Sequence, residues 1–214
     1  MTTKLKLPEV TVSMAPTCGF EPMVPGSHRC YKQSTMATLR PAKPMEGANI
    51  VGEHIFQGEN QCNSSVGGQC ARMVHKAPSL QGYDLCGVGG GHMHAESVAI
   101  IRACRTYHLE HAHALQEALT QVAYIQTHAP KQPELQAFMR EGFVDASLVI
   151  PAYLHKLLEP YEFTLTIVGH RYPCEMCRQV CVTLGIYHCK ATGLAVDGVE
   201  RMQVFNLLDG PIAP

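Results

Sequence analysis

The sequence predicts an α/β domain, and three observations carry that expectation. Segments of strand character alternate with helical ones from about residue 48 to 208. A glycine run at 87–91 passes one of those strands into a helix that begins with chemistry-bearing side chains. The link between the last two strands is too short for a parallel crossover, which needs a dozen or more residues.

Residues 1–46 carry Pro8, Pro16, Pro22, Pro25, Pro41 and Pro44. Proline locks φ and removes a backbone donor, so both helix and central strand are disfavoured there. An irregular arm, packing on the domain or on a neighbouring subunit, is expected before a domain at 47–214. ANIVGEHIFQ (48–57) predicts a first strand, a short helix is expected near 69–75, and GYDLCGV (82–88) predicts a second strand. A helix is expected from 93 to 107. Residues 112–160 are expected to be helical, with Leu115, Leu119, Val122 and Ile125 on one face. Leu135, Phe138 and Met139 form a second stripe, and Leu154, Leu157 and Leu158 a third. EFTLTIVGH (162–170) alternates Phe163, Leu165 and Ile167 with threonine and is the clearest strand. Pro173 opens a helix at 174–185, and 186–193 and 201–208 predict the last two strands. The short link LAVDGVE contains Asp-Gly and makes that pair antiparallel.

The chain has 214 residues, with Lys plus Arg 17 and Asp plus Glu 18. That length buries well over half of the unfolded surface, so a core forms without a disulfide or a metal. A net charge of −1 gives no overall basic footprint for nucleic acid and favours a small-molecule partner, with a local basic groove as the alternative. No apolar run approaches the roughly 20 residues that span a bilayer. The N-terminus lacks the apolar segment of a signal peptide. The expectation is a soluble cytoplasmic protein with no membrane partner, a secreted effector being the alternative.

Ten cysteines are present. Without a secretory signal, metal spacing is weighed before disulfides. Cys174 and Cys177 are three apart behind Pro173, a spacing that puts two thiolates on one face of a helix start. Free N–H groups and the helix dipole favour negative charge there. Two such thiolates are half of a tetrahedral zinc site. His94 can supply a third ligand from another helix start, leaving the fourth position open to water, as in catalytic zinc sites. Zinc lowers the pKa of that water toward neutrality and generates hydroxide. Glu96 follows His94 by two and can act as a proton shuttle rather than a ligand. His92 is the competing ligand, disfavoured by the His94-Ala95-Glu96 register.

The His94-Ala95-Glu96 and Pro173-Cys174-Glu175-Met176-Cys177 pair resembles the signature of the cytidine deaminase-like superfamily. The resemblance implies a three-layer α/β/α fold around a mixed five-stranded sheet. Its antiparallel ending is like that of the free-nucleoside and bacterial toxin branches. It further implies Zn2+ held by His94, Cys174 and Cys177, with Glu96 as general acid/base. The expected reaction is hydrolytic loss of ammonia from a cytosine-type base, free or as a nucleoside or nucleotide. Ala95, Tyr172 and Asn60 are carried over as substrate contacts, Asn60 through the segment IFQGEN (55–60). A homo-oligomer, dimer or tetramer, is expected. Two other readings stand beside this one: a toxin or effector deaminase on single-stranded nucleic acid or an unusual substrate, and a silent zinc-stabilised binding module. The 80-residue separation of His94 from Cys174 exceeds the family's usual spacing, so 108–160 reads as an insertion, either a lid or a dimer surface. Tyr172 stands where the nucleoside and nucleotide branches commonly carry Ser or Thr.

Other cysteines (Cys18, Cys30, Cys62, Cys70, Cys86, Cys104, Cys181, Cys189) read as small buried hydrophobes. A structural zinc site from Cys62, Cys70, His75 and Cys86 is the less favoured alternative. His108, His111 and His113 read as solvent-facing or capping residues. Gly87–Gly91 reads as a flexible turn, since no Lys-Ser/Thr pair follows it to make a phosphate loop.

Overall fold

The computed structural model describes residues 27–30, 35–43, 54–62, 65–66, 69–78, 85, 94–169, 172–194 and 200–209. The chain begins with β1 (His28–Arg29), β2 (Met36–Arg40), β3 (Phe56–Glu59), β4 (Gln61–Cys62), β5 (Ser65–Val66), β6 (Gln69–Cys70) and α1 (Ala71–Val74). Helices α2 (Ala95–Tyr107) and α3 (Leu109–His128) follow, then β7 (Met139–Arg140), β8 (Phe143–Val144) and α4 (Ala146–Val149). The last elements are β9 (Thr164–Val168), α5 (Glu175–Leu184), β10 (His188–Leu194) and β11 (Glu200–Asn206).

Five strands form one mixed sheet in the order β11-β10-β9-β2-β3. Strand β2 is antiparallel to both β3 and β9, β10 is parallel to β9, and β11 is antiparallel to β10. The α/β fold and the antiparallel ending are as the sequence predicts. Alternation explains one buried face: Ala37, Leu39, Leu165, Ile167, Cys189 and Ala191 are almost fully covered. On the far face Thr38, Thr164, Thr166 and Lys190 are half-buried or exposed, whereas residues of α2, α3 and α5 share one buried cluster with the near face.

Helix α2 is the centre of that cluster. Ala95, Val98, Ala99, Ile100, Ile101, Ala103 and Cys104 are all fully buried. A helix apolar on nearly every side is enclosed on nearly every side. Strands β2 and β3 pack against α2, and so does α3. Helix α3 buries Leu115, Leu119, Val122 and Ile125, the stripe its sequence predicts, each worth about 1.5–3 kcal/mol. Among the described residues, no helix is long and apolar enough to cross a membrane.

Three expectations need correction. The stretch 1–46 is not wholly an irregular arm, because β2 is drawn from it into the sheet interior. No proline lies between Pro25 and Pro41, and the Met-Ala-Thr-Leu-Arg alternation inside that window is strand-like. Next, 112–160 is not helical throughout. Pro130, Pro133 and Pro160 stand in 3₁₀ turns, and Pro151 immediately precedes another. Glu141 and Gly142 both take positive φ, closing β7 on β8. Finally, the first strand, predicted at 48–57, begins at Phe56 among the described residues and runs on to Glu59 as β3, while 48–53 lie outside them. The strand at 82–88, apart from Leu85, the glycines 87–91 and His92 also lie outside them.

Gly58 lets β3 approach α2. A Cβ added there would meet the Ala95 carbonyl oxygen at 2.0 Å and the Ala99 nitrogen at 2.6 Å, both backbone atoms. This contact sets the start of α2 against the sheet.

Candidate metal centre

Register places the site. Glu59 at the end of β3 is level with Met36, Met36 with Val168 at the end of β9, and Val168 with Thr192 of β10. Strands β3, β9 and β10 therefore leave the sheet at one edge, and open α/β sheets bind ligands beyond such strand ends. Asn60 follows β3 there, and the segment leading to α5 follows β9.

Both metal-motif helices begin in the same way. His94 is the N-cap of α2 in extended backbone (φ −72°, ψ 148°), and Cys174 is the N-cap of α5 (φ −60°, ψ 155°). Each first ligand thus lies just outside its helix. For His94 this removes the rotational conflict with Glu96 that a continuous helix would impose. Glu96 sits in the first turn of α2, 5% exposed, where the helix dipole favours its carboxylate.

His94 Nδ1 lies 3.3 Å from Cys177 Sγ and 3.4 Å from Cys174 Sγ. The three ligand atoms all lie within 4.8 Å of one another and can hold a metal ion. Tetrahedral zinc with ordinary Zn–N and Zn–S bonds sets nitrogen and sulfur about 3.6 Å apart, so the donor set fits that ion. Cys177 is buried and Cys174 exposed.

Electrostatics prepare the sulfurs. The Cys174 thiol is drawn well below its ordinary value chiefly by the bond from Cys177, and also by the His94 ring. Cys177 is pushed well up by that same bond and by burial, so one proton serves the metal-free pair. A bound cation displaces that proton, because thiolate is the ligand form. Glu96 adds to the upward push on Cys177, Cys181 and Cys189, which places its carboxylate within electrostatic reach of all three. Burial keeps Cys181 protonated and raises Cys104 and Cys189 to about 12, so these three are packing residues.

The three residues carried over as substrate contacts have defined roles in the fold. Ala95 is fully buried and its N–H donates to Asn60 Oδ1 at 2.8 Å. Asn60 is 4% exposed; its carbonyl accepts from Cys30 and its N–H donates to Thr35. It fixes the start of α2 through its side chain and the N-terminal strands through its backbone. Tyr172 stacks on Phe205 of β11, ring centroids 4.7 Å apart, with burial raising its hydroxyl to about 12.

Residues that the sequence reading missed hold the site from outside. Arg178 grips Glu175 through two nitrogens and donates to the Leu207 carbonyl, tying α5 to the chain after β11. No single motif marks this pair, although its i, i+3 spacing is a common helix-surface arrangement. His108, His111 and His113 form no metal-holding group among the described residues.

Asn60→Ala is expected to leave the Ala95 N–H buried without its acceptor, a cost of about 1–3 kcal/mol. The melting temperature should fall by several degrees, at about 2–4 °C per kcal/mol for a chain of this size. An unchanged melting curve would remove Asn60 from this role.

No family model, curated protein or solved structure matches the chain.

Proposed function

We propose that the protein is a zinc-dependent deaminase acting on a cytosine-type base, free or within a nucleoside or nucleotide. One observation carries this reading. An imidazole and two sulfurs, from positions 80 apart, meet beside a buried carboxylate that is not one of the converging ligands. A purely structural metal site has no need of that carboxylate.

His94, Cys174 and Cys177 would hold the ion, and the likeness to zinc deaminase motifs supports zinc. Bound zinc supplies Lewis acidity that brings a water toward ionisation near neutral pH. Glu96 takes a proton from the attacking water and delivers it to the departing amine. The water oxygen bonds to the carbon that carries the exocyclic amine, the C–N bond breaks, and ammonia leaves. Asn60 and Gly58 keep Glu96 in place by fixing the first turn of its helix. The near-neutral charge supports a small substrate over a polymer.

The test is an ammonia-release screen of the full chain over nucleobases, nucleosides, nucleotides and single-stranded oligonucleotides, with metal analysis alongside. The expected result is release from a cytosine-type monomer by the zinc-loaded protein, lost in His94→Ala together with the metal. Release from oligonucleotides alone would overturn the small-substrate assignment. No release from any compound would leave a zinc-stabilised binding module.

A further inference from the structure

A second group of sulfurs lies among the N-terminal strands. Cys30 follows β1, Cys62 ends β4 and Cys70 ends β6, and their sulfurs all lie within 4.8 Å of one another. All three are buried thiols, at 1%, 0% and 3% exposure. This corrects the reading of them as solitary buried hydrophobes. It also revises the alternative site in which Cys62 and Cys70 join His75 and Cys86. His75 is exposed, Cys86 lies outside the described residues, and the third member is Cys30.

The surroundings explain why burial alone is a poor account of these sulfurs. Among the described buried side chains they form an apolar cluster of their own, apart from the main core. That cluster joins β1, β4, β5 and β6, each only two residues long, and α1, only four. Strand β1 pairs with β4 through His28–Cys62 and Arg29–Gln61, and β5 pairs with β6 through Ser65–Cys70. Ordering each residue costs about 1–2 kcal/mol in backbone entropy alone. Three small side chains do not offset that over so many short elements, and segments with little core rely on a cross-link. A disulfide would use two of the sulfurs and leave the third unexplained.

We infer that Cys30, Cys62 and Cys70 bind a second zinc ion with a structural role. Soft thiolates select zinc among the common divalent ions. Tetrahedral Zn–S bonds set sulfurs about 3.8 Å apart, so no pair in a group within 4.8 Å has to close by more than about 1 Å to hold the ion. Three thiolates carry more negative charge than one divalent cation cancels. Arg72, buried to 1% exposure two residues after Cys70, brings a positive charge to the same short helix. Four-coordinate zinc takes its remaining ligand from a further side chain or from solvent.

The site shares no residue with the group of His94, Cys174 and Cys177, so metal stoichiometry separates the two. The full chain, expressed with zinc and purified anaerobically, is expected to carry two zinc ions. His94→Ala/Cys174→Ser should retain one, and loading that variant with Co2+ should give strong thiolate-to-metal charge-transfer absorption. Cys62→Ser/Cys70→Ser should lose one ion and melt lower. If that second variant does not fold, the first still decides. No zinc in His94→Ala/Cys174→Ser, or no thiolate absorption with Co2+, overturns the second site. So does a disulfide between any two of the three cysteines in the anaerobic protein. One ion held by the parent chain and kept by His94→Ala/Cys174→Ser would support the second site and count against the first.

Discussion

Glu96→Gln is expected to keep its zinc and to lose about 10²- to 10⁴-fold in turnover, the span a positioned acid/base contributes. Glutamine matches glutamate in volume and shape, which matters at a position only 5% exposed. It carries no charge and has no proton to exchange. The converging ligand group does not include Glu96, so metal content should be unchanged. Folding should lose only the favourable placement of a negative charge in the first turn of α2, about 0.3–1 kcal/mol. Zinc analysis and the ammonia rate, on whichever compound the screen identifies, make the test. A fully active variant would show that some other group moves the proton.

The second large effect is expected from one methyl group. Gly58→Ala would set its Cβ 2.0 Å from the Ala95 carbonyl oxygen and 2.6 Å from the Ala99 nitrogen. Both are backbone atoms of a helix enclosed on nearly all sides, so no side chain can swing away to make room. Forcing extra volume into such a place costs about 1–3 kcal/mol, sometimes more. The helix start would shift, carrying His94 and Glu96 with it. A displacement near 1 Å at reacting groups can cost about 100-fold in rate. Thermal melting and the ammonia rate, both measured below the melting transition of the variant, check this. Wild-type values for both would mean that β3 and α2 are not in the contact described.

Much of this was legible before any coordinates. The alternation of Phe163, Leu165 and Ile167 marks β9 because one sheet face is buried and the other is not. Leu115, Leu119, Val122 and Ile125 mark α3 by their spacing. The two motifs at the site announce themselves because proline and glycine start their helices. What failed to show depends on partners distant in the chain. Strand β2 is five residues of modest hydrophobicity, and its assignment needs β3 and β9 on either side. Asn60 could be placed near the site, but its bond to Ala95 joins positions that only the sheet register brings together. Cys30 has no metal-like spacing to Cys62 or Cys70, so its membership in a cluster is purely tertiary. Gly58 looks like any strand glycine until the helix above it is known.

The burial of α2 has a consequence for how such a protein can diversify. The carboxylate is rooted in a segment where Ala95, Ala99 and Ala103 are at zero exposure, and enlarging any of them would disturb the interior. Exchangeable positions on this helix are therefore limited to its half-exposed side, at Arg102, Arg105 and Thr106. On the proposed reading, chemistry and selectivity become separable traits: the proton-moving group is rooted in a segment that resists change, and residues from other elements are left to set which molecule is accepted.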